Sequence, residues 1–201
     1  MNDHEYDRLL RINPTNGLHV LSSSVHQNQY EATPYEALEA LCREYTLSKK
    51  DELVDYGCGK GRVSFFLHHR TGLSVTGIEA SGHLYQEALE NQASYLAKRK
   101  NAEANIRFER CLAEEYQVES AQNKFYFFNP FSIQLFIRVM NNIIISNEKE
   151  PRPIDIILYY PTAEYLQYLN DQTAFNLLME VKVPGLYEKN ENERFLIYRL
   201  G

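Results

Sequence analysis

The chain has 201 residues, enough for one compact domain with a sizeable core. Hydrophobic residues make up 44% and charged residues 24%, as in an ordinary soluble globular protein. No apolar run is long enough to span a membrane, and the first residues are not a basic leader. The three cysteines and the scattered histidines lack the spacing of a disulfide framework or a metal site. We therefore expect a cytoplasmic protein without metal or membrane contact.

The formal net charge of −6 is relevant to whether the protein binds nucleic acid. Proteins that bind nucleic acid usually carry a basic stripe, because contacts to phosphate supply much of their affinity. Here the main basic cluster is at residues 98–100, at the end of a predicted helix, where cations complement the helix dipole. A small-molecule partner is favoured, nucleic acid stays open, and the oligomeric state is not predicted.

Residues 1–33 are polar and predict an irregular arm or lid rather than a domain. The next residues predict a single domain over 34–201. Thr33 followed by Pro34 is typical of a helix start, with the threonine as N-cap and the proline at the first helical position. An amphipathic helix over 35–45 should follow.

The sequence LVDYGCGKGRV at 53–63 is the most informative segment. A short apolar run predicts a strand, and Gly57, Gly59 and Gly61 follow it at alternate positions. Glycine there lets the backbone turn sharply and come close to a ligand. A helix over 62–70 should start directly afterwards, so the pattern indicates a strand, a ligand-binding turn and a helix.

Glu79 ends a second predicted strand, over 73–78. Its distance along the chain from the glycines matches that of the acidic residue that binds a ribose hydroxyl in nucleotide-binding βαβ units. A dinucleotide motif would need glycine where Arg62 stands, and the triphosphate-binding loop motif cannot be placed on these residues. The pattern predicts an adenosine-containing cofactor.

A third informative segment is the aromatic run at 125–128 followed by Asn129, Pro130 and Phe131. The run predicts a buried central strand, and proline ends it because it cannot continue a sheet ladder. In an open α/β sheet the ligand crevice lies beyond the carboxyl ends of the strands. These three residues should therefore lie beside the cofactor, although Asn129 and Pro130 could also only end the strand while Phe131 fills the core.

The remaining elements alternate as in one doubly wound sheet. Two runs near the end, joined by Pro184, Gly185 and a polar stretch, predict an antiparallel hairpin. The further predicted helices cover 84–100 and 133–145, and the further predicted strands cover 105–110, 154–160, 175–183 and 193–200. The expected fold is α/β, with a mostly parallel seven-stranded sheet that ends in this hairpin.

The glycine motif, Glu79 and the Asn-Pro-Phe segment together resemble class I S-adenosylmethionine-dependent methyltransferases, especially small bacterial members with an Asn-Pro-Phe fourth motif. The resemblance spans about residues 33–201 and implies S-adenosyl-L-methionine as cofactor. It implies that the glycines approach the methionine part, Asp55 anchors their loop or the amino group, Glu79 holds the ribose, and an N-terminal segment closes over the cofactor. The cofactor-binding residues it suggests are Tyr30, Thr33, Asp55, Gly57, Cys58, Gly59, Gly61, Glu79, Ala80, Leu112, Ala113 and Asn129.

The same resemblance implies an enzyme that methylates an acceptor bound near Asn129, Pro130 and Phe131. In-line transfer from a sulfonium mainly requires a positioned nucleophile and exclusion of water, so a neutral amine needs no strong general base. A small molecule or an amino group is the favoured acceptor. The alternatives are RNA, DNA or protein as acceptor, or a protein that binds the cofactor without catalysis.

Overall fold

The structure is a computed structural model that describes residues 1–13, 32–97 and 105–201. Within these ranges the chain forms one seven-stranded sheet with strand order β3-β2-β1-β4-β5-β7-β6. The strands are β1 (Glu52–Tyr56), β2 (Ser74–Ile78), β3 (Ile106–Glu109), β4 (Lys124–Phe127), β5 (Ile154–Tyr159), β6 (Asn176–Lys182) and β7 (Arg194–Leu200).

Helices connect the strands. They are α1 (Asp3–Leu10), α2 (Tyr35–Glu44), α3 (Arg62–Thr71), α4 (Gly82–Leu96), α5 (Ile133–Lys149) and α6 (Ala163–Gln172), with a short 3₁₀ turn at Ala113–Glu115. The predicted helix over 84–100 thus starts two residues earlier, and its predicted end lies outside the described residues.

The first five strands run parallel, and β7 pairs antiparallel with both β5 and β6. This confirms the predicted mostly parallel sheet with a terminal antiparallel hairpin. The aromatic strand β4 lies between β1 and β5, near the middle of the sheet, and all four of its residues are buried. A strand buried on both faces has no polar side to present to water, which explains its continuous run of aromatic residues.

Two apolar cores cover the two faces of the sheet. Tyr126 of β4 belongs to the core formed with the first four helices, whereas Phe125 and Phe127 belong to the core formed with α5 and α6. This division follows from the alternation of side chains along a strand. Helices on both faces leave the carboxyl ends of the parallel strands as the open edge.

The N-terminal residues differ from the prediction of an irregular segment. Residues 3–10 form α1, which begins with a capping box: Asn2 accepts from the Glu5 amide, and the Glu5 carboxylate accepts from the Asn2 amide. The Tyr6 ring stacks on Tyr35 of α2, with centroids 4.7 Å apart. The helix is therefore packed on the domain. The expectation of a lid concerns mainly residues 14–31, which lie outside the described residues.

Two further predictions need correction. Thr33 does not cap α2, because Pro34 occupies the N-cap position and no side chain bonds the first turn. The Thr33 hydroxyl is instead paired with the Tyr126 hydroxyl at 2.8 Å. Helix α6 was not predicted at all, although Thr162 provides a normal N-cap by accepting from the Tyr165 amide.

None of the helices in the described ranges has the length and apolar character needed to cross a membrane. The same ranges contain no group of three or more histidine, cysteine or acidic side chains arranged to hold a metal ion.

Candidate functional site

The loop after β1 joins the end of β2 at the open edge of the sheet. The amides of Gly57 and Cys58 both donate to the carbonyl of Ile78, at 2.9 and 3.1 Å. Gly57, Gly59 and Gly61 have φ values of +71°, +55° and +87°. These left-handed conformations are costly for residues with a Cβ, which explains why the loop uses glycine at alternate positions.

Gly57 also touches the segment after β4. A Cβ built on Gly57 would lie only 2.7 Å from the Cβ of Pro130. The glycine loop and the Asn-Pro-Phe segment are therefore in direct contact at the carboxyl edge of the sheet. Asn129, which precedes Pro130, has φ +41°. Left-handed backbone at a residue other than glycine is frequent at functional sites.

Asp55 lies at the end of β1, 2% exposed, and its carboxylate accepts from the Ser64 hydroxyl at 2.7 Å. Burial raises the pKa of Asp55 to about 7, against the opposing effect of the Ser64 hydrogen bond and with a further contribution from Glu79. This hydrogen bond connects β1 to the first turn of α3, the two elements that flank the glycine loop. Asp55 therefore holds the two ends of the loop together.

Glu79 lies where β2 ends, and its carboxylate spans two backbone segments. Oε2 accepts from the Gly59 amide at 2.9 Å, and Oε1 accepts from the Ser81 amide at 2.8 Å. Burial raises the pKa of Glu79, although the backbone amides of Ser81, Gly59 and Ala80 oppose this effect. The side chain therefore fixes the glycine loop relative to β2. The backbone amide of half-buried Ala80 also forms a hydrogen bond with the Glu79 carboxylate.

A pocket opens between the glycine loop, the start of α2 and the end of β4. Four of the predicted residues line it, namely Thr33, Asp55, Gly57 and Cys58. The side chain of Cys58 is buried, and burial raises the pKa of its thiol well above the ordinary value, which disfavours the nucleophilic thiolate form. The pocket also contains residues that the sequence analysis did not select, namely Ala32, Tyr56, Arg62, Val63, Tyr126 and Phe128.

Arg62 is the most notable of the residues that were missed. It is 5% exposed at the first position of α3, and its guanidinium lies 4.6 Å from the centre of the Tyr35 ring. A cation at a helix N-terminus opposes the helix dipole. That conflict, visible in the sequence next to the predicted helix start, was the signal that could have identified it.

Phe131 occupies a different position from the other two residues of its motif. It is 6% exposed and packs edge-on against Tyr56 and Phe127, while its carbonyl accepts from the Tyr165 hydroxyl at 2.7 Å. Asn129 and Pro130 are only partly buried. The packing favours the alternative in which Phe131 fills the core and holds the segment in place.

The predicted adenine contacts lie beyond β3, the neighbour of β2 in the sheet. Leu112 is 45% exposed, unusually open for a leucine, and buried Ala113 begins the 3₁₀ turn. Tyr30, the other predicted cofactor residue, lies outside the described residues. Contacts of Leu112, Ala113 and Tyr30 with a cofactor stay predictions.

Comparisons with known proteins agree with this architecture. Residues 29–159 match the model of a family described as a methyltransferase domain. No curated protein is similar enough in sequence to match.

Several solved structures share the fold at low sequence identity. The tRNA (uracil-54, C5)-methyltransferase of Pyrococcus abyssi, solved with S-adenosyl-L-homocysteine, aligns over 86% of this chain and 40% of its own, with 15% identity and a TM-score of 0.57. Geranyl diphosphate C-methyltransferase of Streptomyces coelicolor, also solved with S-adenosyl-L-homocysteine, aligns over 82% of this chain and 77% of its own, with 13% identity and a TM-score of 0.54.

A protein of the NADB-Rossmann superfamily from Streptococcus agalactiae aligns over 84% of this chain and 68% of its own, with 15% identity and a TM-score of 0.56. At such identities the likeness establishes the fold alone. The family match covers more than half of the chain and includes the glycine loop, Glu79 and Asn129. The chain belongs to the family of proteins with this methyltransferase domain, built on the Rossmann-like class I fold.

Proposed function

We propose that the protein transfers a methyl group from S-adenosyl-L-methionine to an amino group of a small molecule. The observation that carries the cofactor assignment is the hydrogen bond from the Gly59 amide to Glu79, 2.9 Å long. It joins the acidic side chain directly after β2 to the glycine loop that follows β1, at the carboxyl edge where open α/β sheets bind ligands. Two structural neighbours were solved with S-adenosyl-L-homocysteine, the demethylated product of this cofactor.

The residues at this edge fit such a cofactor. Gly57 is exposed and carries no side chain, so its backbone is accessible for close approach. Glu79 offers carboxylate oxygens for ribose hydroxyls, and exposed Leu112 offers an apolar surface for an adenine. The pocket contains both a carboxylate, Asp55, and a guanidinium, Arg62. A methionine part has opposite charges that match this pair.

When bound, the cofactor supplies a methyl group on a positively charged sulfur. The task of the chain is then to position an acceptor amine and keep water away. The side-chain oxygen of Asn129 and the carbonyl of Pro130 can each accept a hydrogen bond from the amine, which leaves its lone pair directed at the methyl group. Phe128 and Tyr126 line the pocket with apolar rings. A neutral amine requires no general base, and none is assigned.

Calorimetric titration tests the cofactor. We expect S-adenosyl-L-methionine and S-adenosylhomocysteine to bind, NADH not to bind, and Glu79→Gln to weaken binding by about 10-fold or more, since a charge-assisted hydrogen bond is lost. Glu90→Gln, at an exposed position of α4, is the matched control and should bind like the wild type. Preference for NADH, or equal binding by both variants, would reject the cofactor assignment.

A transfer assay with radiolabelled cofactor tests the acceptor. We expect label in a cellular metabolite extract and not in total RNA, DNA or protein. Asn129→Ala should lower transfer strongly while affinity for S-adenosylhomocysteine stays within about twofold, because Asn129 is assigned to the acceptor. Asn141→Ala, exposed on α5, is the control. Label found only in a macromolecule would overturn the small-molecule proposal but keep the methyltransferase.

A further inference from the structure

The neighbouring strands β4 and β5 end in the same way. Phe127 of β4 is paired in register with Leu158 of β5. Two residues beyond this pair, Asn129 and Tyr160 both have positive φ, at +41° and +51°. A proline follows each of them. The Asn-Pro step proposed to hold the acceptor therefore has a Tyr-Pro counterpart on the adjacent strand.

The backbone of Tyr160 departs from two conformational preferences. Left-handed φ is tolerated by asparagine but is exceptional for a residue as bulky as tyrosine. A residue before proline also favours extended backbone, which Tyr160 does not adopt. Strain of this kind persists only where the surrounding structure enforces it, and it is concentrated at functional sites. The place of the Tyr160 side chain is therefore a candidate for a direct role in binding.

Tyr160 lies on the acceptor side of the open edge. In the strand order β1-β4-β5, the segment with Asn129 after β4 separates the glycine loop after β1 from Tyr160 after β5. The Tyr160 ring is half-buried, and its centroid lies 6.3 Å from that of Phe128, the residue before Asn129. An acceptor whose amine is held at Asn129 therefore has Tyr160 beside it, on the side away from the glycine loop.

The hydrogen bonds around Tyr160 determine the direction of its hydroxyl proton. The side-chain oxygen of Asn190 accepts from the backbone amide of Asn192, at 3.0 Å. The Asn190 side-chain nitrogen consequently faces Tyr160 and donates to the hydroxyl oxygen, at 2.7 Å. A tyrosine hydroxyl can accept and donate at once. Its own proton has no acceptor in the part of the chain that the structure describes, so a donor is left for a ligand.

We infer that Tyr160 binds the methyl acceptor by donating its hydroxyl proton to an oxygen atom that the acceptor carries in addition to its amino group. This inference rests on the proposed function and narrows the substrate class to small amines that also have a carbonyl, carboxylate or hydroxyl oxygen. Asn129 then holds the amine while Tyr160 holds the oxygen. Attachment at two adjacent strand ends orients the molecule, which transfer to a fixed methyl group requires.

The transfer assay with radiolabelled cofactor tests the inference when a cellular metabolite extract is used in serial dilution. The amount of extract that gives half the maximal rate is a relative KM for the acceptor. Tyr160→Phe keeps the ring but removes the hydroxyl, and we expect this amount to rise by about 5- to 10-fold, as for one lost hydrogen bond. Affinity for S-adenosylhomocysteine should stay within about twofold. Tyr168→Phe on α6 is the control and should keep the wild-type amount.

Two variants of Asn190 separate binding of the acceptor from a structural role in the loop before β7. Asn190→Ala removes the donor to Tyr160 but leaves the hydroxyl proton available, so the half-saturating amount should change by less than about twofold. Asn190→Asp provides a carboxylate that accepts this proton, so the amount should rise about as much as in Tyr160→Phe. If Tyr160 only anchored the loop, alanine would be at least as harmful as aspartate.

The outcomes distinguish the inference from the proposed function. If Tyr160→Phe keeps the wild-type half-saturating amount, or if Asn190→Ala raises it as much as Asn190→Asp does, Tyr160 does not bind the acceptor. The inference is then wrong, while methyl transfer by the wild type stands. If Tyr160→Phe does not fold, the comparison of the two Asn190 variants decides. If the wild type itself transfers no label to the extract, the proposed acceptor fails and the inference fails with it.

Discussion

Gly57 lies directly against Pro130, so the loop after β1 and the segment after β4 fit together only because position 57 has no side chain. A Cβ there would lie 2.7 Å from the Cβ of Pro130, closer than such atoms approach in proteins. The left-handed φ of +71° adds a second demand for glycine. The glycine loop after β1 and the segment after β4 thus pack as one unit.

We therefore expect Gly57→Ala to lower the free energy of unfolding by about 2–4 kcal/mol, combining backbone strain with overpacking. Gly185→Ala is the matched control: its φ is +84°, but a Cβ there has no atom within 4 Å, so it should cost only about 1–2 kcal/mol. Urea unfolding of both variants measures the difference. Equal losses would show that the contact with Pro130 is easily relieved.

The parts of the site that could be predicted from the sequence are those marked by short motifs within one segment of the chain. Gly57, Gly59 and Glu79 belong to short segments in which an apolar strand is followed by residues that a turn or ligand demands. The parallel order of the strands follows from their alternation with helices. These features need no knowledge of distant contacts, and in the structure the three residues lie at one edge of the sheet.

The parts that were missed depend on contacts between distant segments. Thr33 has the residue type of a helix N-cap, but a hydrogen bond to Tyr126 on β4 determines its role. Helix α1 is short and polar in sequence, and it is held by packing on Tyr35. Its capping box, with Asn2 and Glu5, was a local signal that could have predicted it.

Ionisation of Asp55 should make stability depend on pH. Burial raises its pKa to about 7 in the folded protein from an ordinary value of 3.8, so the folded state binds this proton more tightly than the unfolded state. The stabilisation is complete below pH 3.8 and is lost as the pH rises through about 7. Between about pH 5 and 8 this group alone should lower the free energy of unfolding by about 3 kcal/mol.

Urea unfolding at these two pH values, with and without Asp55→Asn, isolates the effect. The asparagine variant should lose less stability than the wild type as the pH rises. Glu79, whose pKa is also raised by burial, leaves a residual slope of the same sign. Asp171→Asn, exposed on α6, should keep the wild-type slope. A wild-type slope in Asp55→Asn would mean that other groups cause the dependence.

A second group of buried charges lies away from the site. Asp155, fully buried near the start of β5, accepts from Lys124 at 2.6 Å and from two nitrogens of Arg199 at 2.7 and 2.8 Å. The Tyr45 hydroxyl donates to the same carboxylate. Burial opposes ionisation, but these hydrogen bonds, from Arg199 first, hold the pKa of Asp155 below its usual range. Its contribution to stability is therefore present at neutral pH and is lost as the pH falls.

Asp155→Asn should lower the free energy of unfolding by about 3–5 kcal/mol, because two cations lose the charge that compensates them. Affinity for S-adenosylhomocysteine should stay within about twofold in the folded variant, since Asp155 lies toward the amino ends of the strands. Thermal melting and calorimetry measure the two quantities. A loss of stability below about 1 kcal/mol, as at a surface ion pair, would contradict the assigned role.

Tyr165 of α6 holds the segment after β4 through its hydroxyl, which donates to the Phe131 carbonyl at 2.7 Å, while its ring stacks on Phe136. Tyr165→Phe keeps the ring but leaves a buried carbonyl unpaired, so we expect a loss of about 1–3 kcal/mol in unfolding free energy. Without this hydrogen bond the segment is held less firmly, so methyl transfer should be slower. Affinity for S-adenosylhomocysteine should stay within about twofold. Tyr168→Phe, whose ring contacts the same Phe136, is the control and should keep the wild-type rate. Equal rates for both variants would show that the hydrogen bond stabilises the core without positioning Asn129.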